Sequence, residues 1–168
     1  SGMATTTYHV FEDSLFKGKN EASGDTIKMI FDDKKLTNIY VKGGSMGEYI
    51  PDTISNKLKS PLFYSAEKID YYVSSEETEL IGNAKVNHEY TELEAGYMKV
   101  NWPRKILNAL PINQDSIYKS INPKIIENNR DPMIGNEMIY NLETKRGKII
   151  YGKTTADDGF YKGKEIRN

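Results

Sequence analysis

The sequence predicts an all-β protein made of stacked antiparallel hairpins, and two observations carry this prediction. The 168 residues include 12 tyrosines beside 5 phenylalanines and 1 tryptophan, and aromatic side chains are favoured in β-strands. A strand, turn and strand pattern also occurs four times, with little helical periodicity between the copies. Since a chain of this length suits one core, we expect residues 1–168 to form a single domain.

The four copies share one arrangement of small and apolar residues. Each begins with Gly or Ala, places an apolar residue three positions later, and places another two positions beyond that, at Ile27 and Met29, Ile69 and Tyr71, Met98 and Val100, and Met138 and Tyr140. The spacing of two is that of a strand face, and the extra step after the small residue is typical of a bulge or a strand start. The copies span residues 24–43, 66–84, 95–109 and 135–152.

Each copy has a polar centre that predicts a hairpin turn. The centres are residues 32–35, 74–77, 102–105 and 143–147, and all are rich in charge or in turn-forming residues. Residues 43–61 and 111–132, which are interrupted by Gly or Pro, are predicted to be long loops, the second with room for a helical turn.

The repeated apolar positions predict a shared interior, because one hairpin cannot bury its apolar face alone. We call the eight residues of that interior the candidate groove residues: Ile27, Met29, Ile69, Tyr71, Met98, Val100, Met138 and Tyr140. A sealed core and a ligand groove are both compatible with periodicity. Methionine suits either, since it is flexible and polarizable and is also an ordinary core residue.

Composition argues against several classes of function. A net charge of -1 and a pI of 6.2 give no general attraction for nucleic acid. The chain has no cysteine and only two histidines, His9 and His88, without ligand spacing, so we predict no metal site and no cofactor. Ser1 and Gly2 ahead of Met3 are typical of cloning, so the lack of a signal-peptide pattern says little about export.

Charged residues at the turns leave two questions open. Basic pairs lie at three turn centres, Lys34-Lys35, Arg104-Lys105 and Lys145-Arg146; they are interpreted either as phosphate contacts or as solubilising turns. Glu76, Glu77 and Glu79 could serve as acids, but their charged turn favours solvation, and no catalytic residue is predicted.

Trp102 is expected to pack rather than to contact a ligand.

Two segments carry a resemblance to a known family. Residues 66–71 (AEKIDY) and 80–86 (LIGNAKV) resemble the OstA-like repeats of the lipopolysaccharide-transport proteins, LptA and the periplasmic N-terminal domain of LptD. The resemblance is good over about residues 61–168. It is looser over about residues 8–51, where Gly24-Asp25-Thr26 replaces the Ala and acidic residue that open the motif.

The resemblance implies a β-jellyroll, or β-taco, with an open hydrophobic groove that holds the acyl chains of lipopolysaccharide. Such proteins are periplasmic, catalyse no reaction, and join other transport components or copies of themselves by edge-strand pairing as part of outer-membrane biogenesis; an LptD-like chain is attached to the outer membrane. Two alternatives remain: a structural or adhesive β-repeat module with a closed core, and a jellyroll carbohydrate-active enzyme that uses Glu76, Glu77 or Glu79.

Overall fold

The computed structural model describes residues 3–112, 117–156 and 159–167, which contain strands and no helix. The strands are β1 (Ala4–Glu12), β2 (Leu15–Gly24), β3 (Thr26–Asp32), β4 (Lys35–Pro51), β5 (Leu62–Tyr72), β6 (Glu77–His88), β7 (Thr91–Asn101), β8 (Ile106–Leu110), β9 (Lys124–Glu127), β10 (Met133–Ile134), β11 (Glu137–Asn141), β12 (Arg146–Ala156) and β13 (Gly159–Arg167). Nothing within these ranges forms a helix long and apolar enough to cross a membrane.

The long central strands bend near their middles, at small residues. The register shifts between Lys42 and Ser45 in β4, between Ser65 and Lys68 in β5, and between Ile81 and Ala84 in β6. In β7 the pairing partner changes at 95–96, since residues 91–94 pair with β9 and residues 97–101 pair with β8. Each of these strands therefore belongs to one part of the sheet before its bend and to another after it.

The bends fold one antiparallel sheet into two layers. The first layer contains β1, β2, the second half of β4, the first half of β5, the second half of β6, the first half of β7, β9, β10 and the end of β12. The second layer contains β3, the complementary halves of β4 to β7, β8, β11 and the start of β12. β13 pairs with β12 along both layers. The sheet is not closed into a barrel, so the all-β prediction is confirmed.

The core lies between the two layers and is rich in aromatic contacts. Tyr8 of the first layer stacks on Tyr71 of the second with ring centroids 3.8 Å apart. Tyr49 stacks on Trp102 in the same way at 4.4 Å. The indole N–H of Trp102 donates to Oγ1 of Thr78 at 2.8 Å, which satisfies its polar edge. The packing role predicted for Trp102 is confirmed.

The four predicted turns are confirmed, but the first predicted loop is partly wrong. Each turn centre lies between consecutive strands of the second layer. Residues 43–51 are strand rather than loop, because Gly43 (φ 83°) and Gly44 (φ 57°) form a bulge from which β4 continues to Pro51. In the second predicted loop, β9 forms at Lys124–Glu127 and the described residues contain no helical turn; residues 113–116 lie outside the described part.

The connection from β8 to β9 crosses β7 at Gly96, where its described residues Pro111 and Ile121 lie against the strand. The backbone N–H of Gly96 donates to the carbonyl of Ile121 at 2.9 Å, and Ile121 N–H donates to the carbonyl of Pro111 at 2.8 Å. A side chain at position 96 would overlap the backbone of Pro111. The absence of a side chain is therefore required for the crossing to lie against the bend.

We expect Gly96→Ala to lower the free energy of unfolding by at least about 2 kcal/mol, because the backbone of the crossing segment must move. Urea unfolding followed by circular dichroism measures this change. Gly147→Ala is the matched control, since a Cβ there lies 3.4 Å from the Tyr140 ring, which is ordinary contact; it should change stability by less than about 1 kcal/mol. Equal losses in both variants would contradict the steric explanation.

One carboxylate connects three strands on the outer face of the first layer. Glu94 of β7 lies 2.6 Å from Nζ of Lys124 in β9 and 2.8 Å from Nζ of Lys85 in β6. A hydrogen bond from Lys124, which has the larger effect, and a second one from Lys85 lower the pKa of Glu94 from 4.5 to about 2. The ionised form is therefore favoured by the folded state.

Replacing Glu94 with Gln should cost about 1 kcal/mol of stability at pH 7, as expected for a partly exposed ion-pair network. The folded-state pKa is below the unfolded one, so this contribution is complete above pH 4.5 and is lost as the pH falls toward about 2. Urea unfolding between pH 2 and pH 7 tests this. Glu92→Gln on the same strand is the control, and a cost for Glu94→Gln that does not depend on pH would contradict the assignment.

Candidate functional site: the interior and its mouth

The strand bends and the hairpin turns lie on opposite sides of the interior. On the bend side, the two layers are joined by continuous backbone in β4 to β7. On the turn side, they are joined only through side chains and turns, and we call this side the mouth. It is formed by residues 12–15, 52–61 and 88–91 of the first layer and by residues 73–76, 102–105 and 142–145 of the second.

Within the described part of the chain, polar contacts cross the mouth at four places, one of which is the hydrogen bond from the hydroxyl of Tyr140 to Oγ1 of Thr91 at 3.4 Å. The backbone N–H of Phe11 donates to Oε1 of Glu76 at 3.2 Å. Nζ of Lys57 lies 3.4 Å from Oε1 of Glu143, and Lys145 forms an ion pair with Glu89. Contacts between partly exposed charges contribute little stability each, so the mouth is the side at which the layers separate most easily.

Glu89 also belongs to a small cluster around His88. Oγ of Ser60 lies 2.9 Å from Nε2 of His88 and donates to Oε1 of Glu89 at 2.6 Å. Burial lowers the pKa of His88, which favours the neutral ring beside the ammonium of Lys145. These hydrogen bonds connect the loop before β5 to the turn after β6.

All eight candidate groove residues occupy the inner face. Six are at most 2% exposed, namely Ile69, Tyr71, Met98, Val100, Met138 and Tyr140. Ile27 is partly buried against the core and Met29 is 42% exposed. These two pair with the buried residues Val41 and Ile39, and directly paired residues share a face. Contact of these eight side chains with lipid stays a prediction.

The interior is apolar and its few polar groups are uncharged. The hydroxyl of Tyr64 donates to Oδ1 of Asn20 at 2.9 Å, and Nδ2 of Asn56 donates to the hydroxyl of Tyr49 at 2.7 Å. Burial raises the pKa of Tyr64 and of Tyr71, so these phenols stay neutral. An interior of this kind favours an apolar chain over a charged ligand.

The interior is more exposed at the end that carries the N-terminal strands. Among the described strands, β1 pairs only with β2, and β3 pairs only with β4. At this end Met29 is 42% exposed and Phe31 is 60% exposed. At the opposite end β13 covers the edge of β12. The apolar interior therefore continues to the surface at the end formed by β1 and β3.

The three glutamates considered as acids have different partners. Glu76 accepts the mouth hydrogen bond from Phe11, and burial raises its pKa. Glu77 pairs with Lys99 at 2.9 Å. Glu79 accepts from the hydroxyl of Tyr72 at 3.4 Å. These separate contacts favour structural roles, since a glycosidase needs two carboxylates facing one substrate.

The three basic pairs also differ in their surroundings. Lys34-Lys35 lies in an exposed turn, and Lys145 is paired with Glu89. Arg104-Lys105 instead lines a cavity of about 240 Å³ at the mouth, together with Lys17 and Lys57. The sequence did not predict that Lys17 and Lys57 lie here, because they are far from residues 104–105 in the chain and only their charge distinguishes them.

The chain has the fold of a known transport component. No family model matches the sequence, and no curated protein matches it. Among solved structures it is similar to LptH from Pseudomonas aeruginosa, described as the LptA homologous periplasmic component of the conserved lipopolysaccharide transport device. The match has a TM-score of 0.54 and 19% identity, and it covers 73% of this chain and 92% of LptH. The jellyroll-like fold that the resemblance implies is thus confirmed, and the match supports the resemblance of the repeats to LptA-like proteins.

Proposed function

We propose that this protein is a periplasmic carrier of lipopolysaccharide, which it binds without catalysing a reaction. The observation that carries the proposal is an apolar, uncharged interior that is joined by backbone along one side and only by side-chain contacts along the other. The similarity of the fold to that of LptH agrees with this function. The acyl chains would contact the candidate groove residues.

Lipid access requires the layers to separate at the mouth. The contacts that break are two hydrogen bonds, Phe11–Glu76 and Tyr140–Thr91, and two ion pairs, Lys57–Glu143 and Lys145–Glu89. The backbone pairing within each layer is kept. Acyl chains then replace the side-chain contacts that the layers lose. Met98 and Met138 face the interior, and their unbranched side chains adapt to chains of different shape.

A second candidate function is a structural module whose core stays closed. It is favoured by the burial of the six central candidate groove residues, which are at most 2% exposed. The two candidates differ in one measurable property, because only a carrier brings lipid to residues in the middle of the interior.

A photo-crosslinking residue at position 29 should capture lipopolysaccharide, because Met29 is on the inner face at the exposed end. Position 28 is the matched control: Lys28 is adjacent in β3 and on the opposite face. The same residue at position 98 reports on the middle of the interior. Gel analysis after irradiation with purified lipopolysaccharide measures capture, and we expect labelling at 29 and 98 that exceeds labelling at 28 at least fivefold.

Equal labelling at positions 28 and 29 would contradict a path along the inner face. Labelling at 29 without any at 98 would favour the closed module, because the lipid would then touch only the exposed end. A circular dichroism spectrum of each variant establishes that the strands are retained.

We further propose that the carrier joins copies of itself, or other components of a transport assembly, through its end strands. β1 and β13 each have one strand partner in the sheet, and an edge strand presents unpaired backbone groups to another chain. Addition of β1 of one molecule to β13 of the next would extend both the sheet and the interior.

Sedimentation velocity over a hundredfold range of concentration should show association that increases with concentration. Ile166→Pro should weaken it, since proline removes a backbone donor from β13. A strict monomer at all concentrations would contradict end-to-end pairing and leave lipid carriage standing.

A further inference from the structure

The cavity at the mouth is bounded by residues that come from both layers. Lys17 and Lys57 belong to the first layer and Arg104 and Lys105 to the second, and Glu12 and Glu143 also line it. Four cations and two carboxylates thus surround a space of about 240 Å³. A phosphate group is small enough for this volume.

The two carboxylates neutralise only the first-layer cations. Nζ of Lys17 lies 3.3 Å from Oε2 of Glu12, and Nζ of Lys57 lies 3.4 Å from Oε1 of Glu143. Nζ of Lys105 lies 3.5 Å from the uncharged carbonyl of Pro103. The guanidinium of Arg104 forms no ion pair within the described part of the chain. Among the described residues, two positive charges therefore remain without a counter-charge.

We propose that this cavity binds a phosphate group, held by Arg104 and Lys105 and assisted by Lys17 and Lys57. The planar guanidinium of Arg104 can bind two phosphate oxygens at once, and an ammonium adds a point charge. A phosphate monoester carries about two negative charges at pH 7, which matches the excess of two cations.

The position of the cavity would allow it to bind the polar end of a lipid. Residues 103–105 directly follow Trp102, whose ring is buried against Tyr49 at the mouth. A phosphate in the cavity would lie at the surface while chains attached to the same molecule enter the interior. The phosphate site stands on the cavity alone; its assignment to a lipid headgroup rests on the proposed function.

Trp102 is the only tryptophan in the chain, so its fluorescence reports on the cavity. We would titrate the protein with inorganic phosphate at constant ionic strength, and then with a phosphorylated acylated disaccharide and its dephosphorylated form. The double variant Arg104→Gln and Lys105→Gln should bind phosphate at least about tenfold more weakly, since it loses two charge-assisted contacts. Lys34→Gln with Lys35→Gln makes the same charge change at an exposed turn and should bind as the unmodified protein does.

The proposal is overturned if phosphate leaves the Trp102 signal unchanged, or if both double variants weaken binding equally. Equal affinities for the phosphorylated and dephosphorylated lipids would overturn the assignment of the site to a lipid headgroup, although lipid carriage would then stand. Binding of inorganic phosphate that depends on Arg104 and Lys105, without capture of any lipid, would support the site and contradict the proposed function. A phosphorylated lipid that binds more tightly than its dephosphorylated form, only while Arg104 and Lys105 are present, would support both.

Discussion

Small residues at the strand bends are the constraint on which the whole structure depends. Gly82 has φ 77° and Asn83 has φ 46°, backbone conformations that larger side chains rarely adopt. The register places the bends beside one another, with Ser45 opposite Ala66 and Ala84 opposite Ala95. Because these bends are aligned, β4 to β7 turn at the same level, and one sheet becomes two facing layers.

This arrangement makes the two sides of the interior unequal. At the bends, the layers are connected by backbone, and separating them would require the register of several strands to break. At the mouth, they are connected by partly exposed ion pairs, two hydrogen bonds and aromatic packing. Exposed ion pairs exchange readily with water. The two layers are therefore held together more weakly at the mouth than at the bends.

The neutrality of the interior complements the charge at the mouth. Tyrosine hydroxyls are the main polar groups inside, and burial keeps Tyr64 and Tyr71 protonated. The cations of the mouth lie where they can remain hydrated, since burying an unpaired charge is costly. Apolar chains inside and an anionic group at the surface are the ligand chemistry that this division suits.

The sequence by itself determined the turns and the inner face, because both are local: charge and turn formers mark the hairpins, and the period of two marks the face. The eight candidate groove residues share the inner face for this reason, and their contact with lipid stays a prediction. Only the tertiary structure decided which of them are covered. Met29 is exposed because β3 ends its layer, and Gly96 cannot carry a side chain because the backbone of Pro111 and Ile121 lies against it. Lys17, Lys57 and Arg104 share a cavity only because the layers face each other. Contacts between distant parts of the chain do not produce a periodic pattern in the sequence.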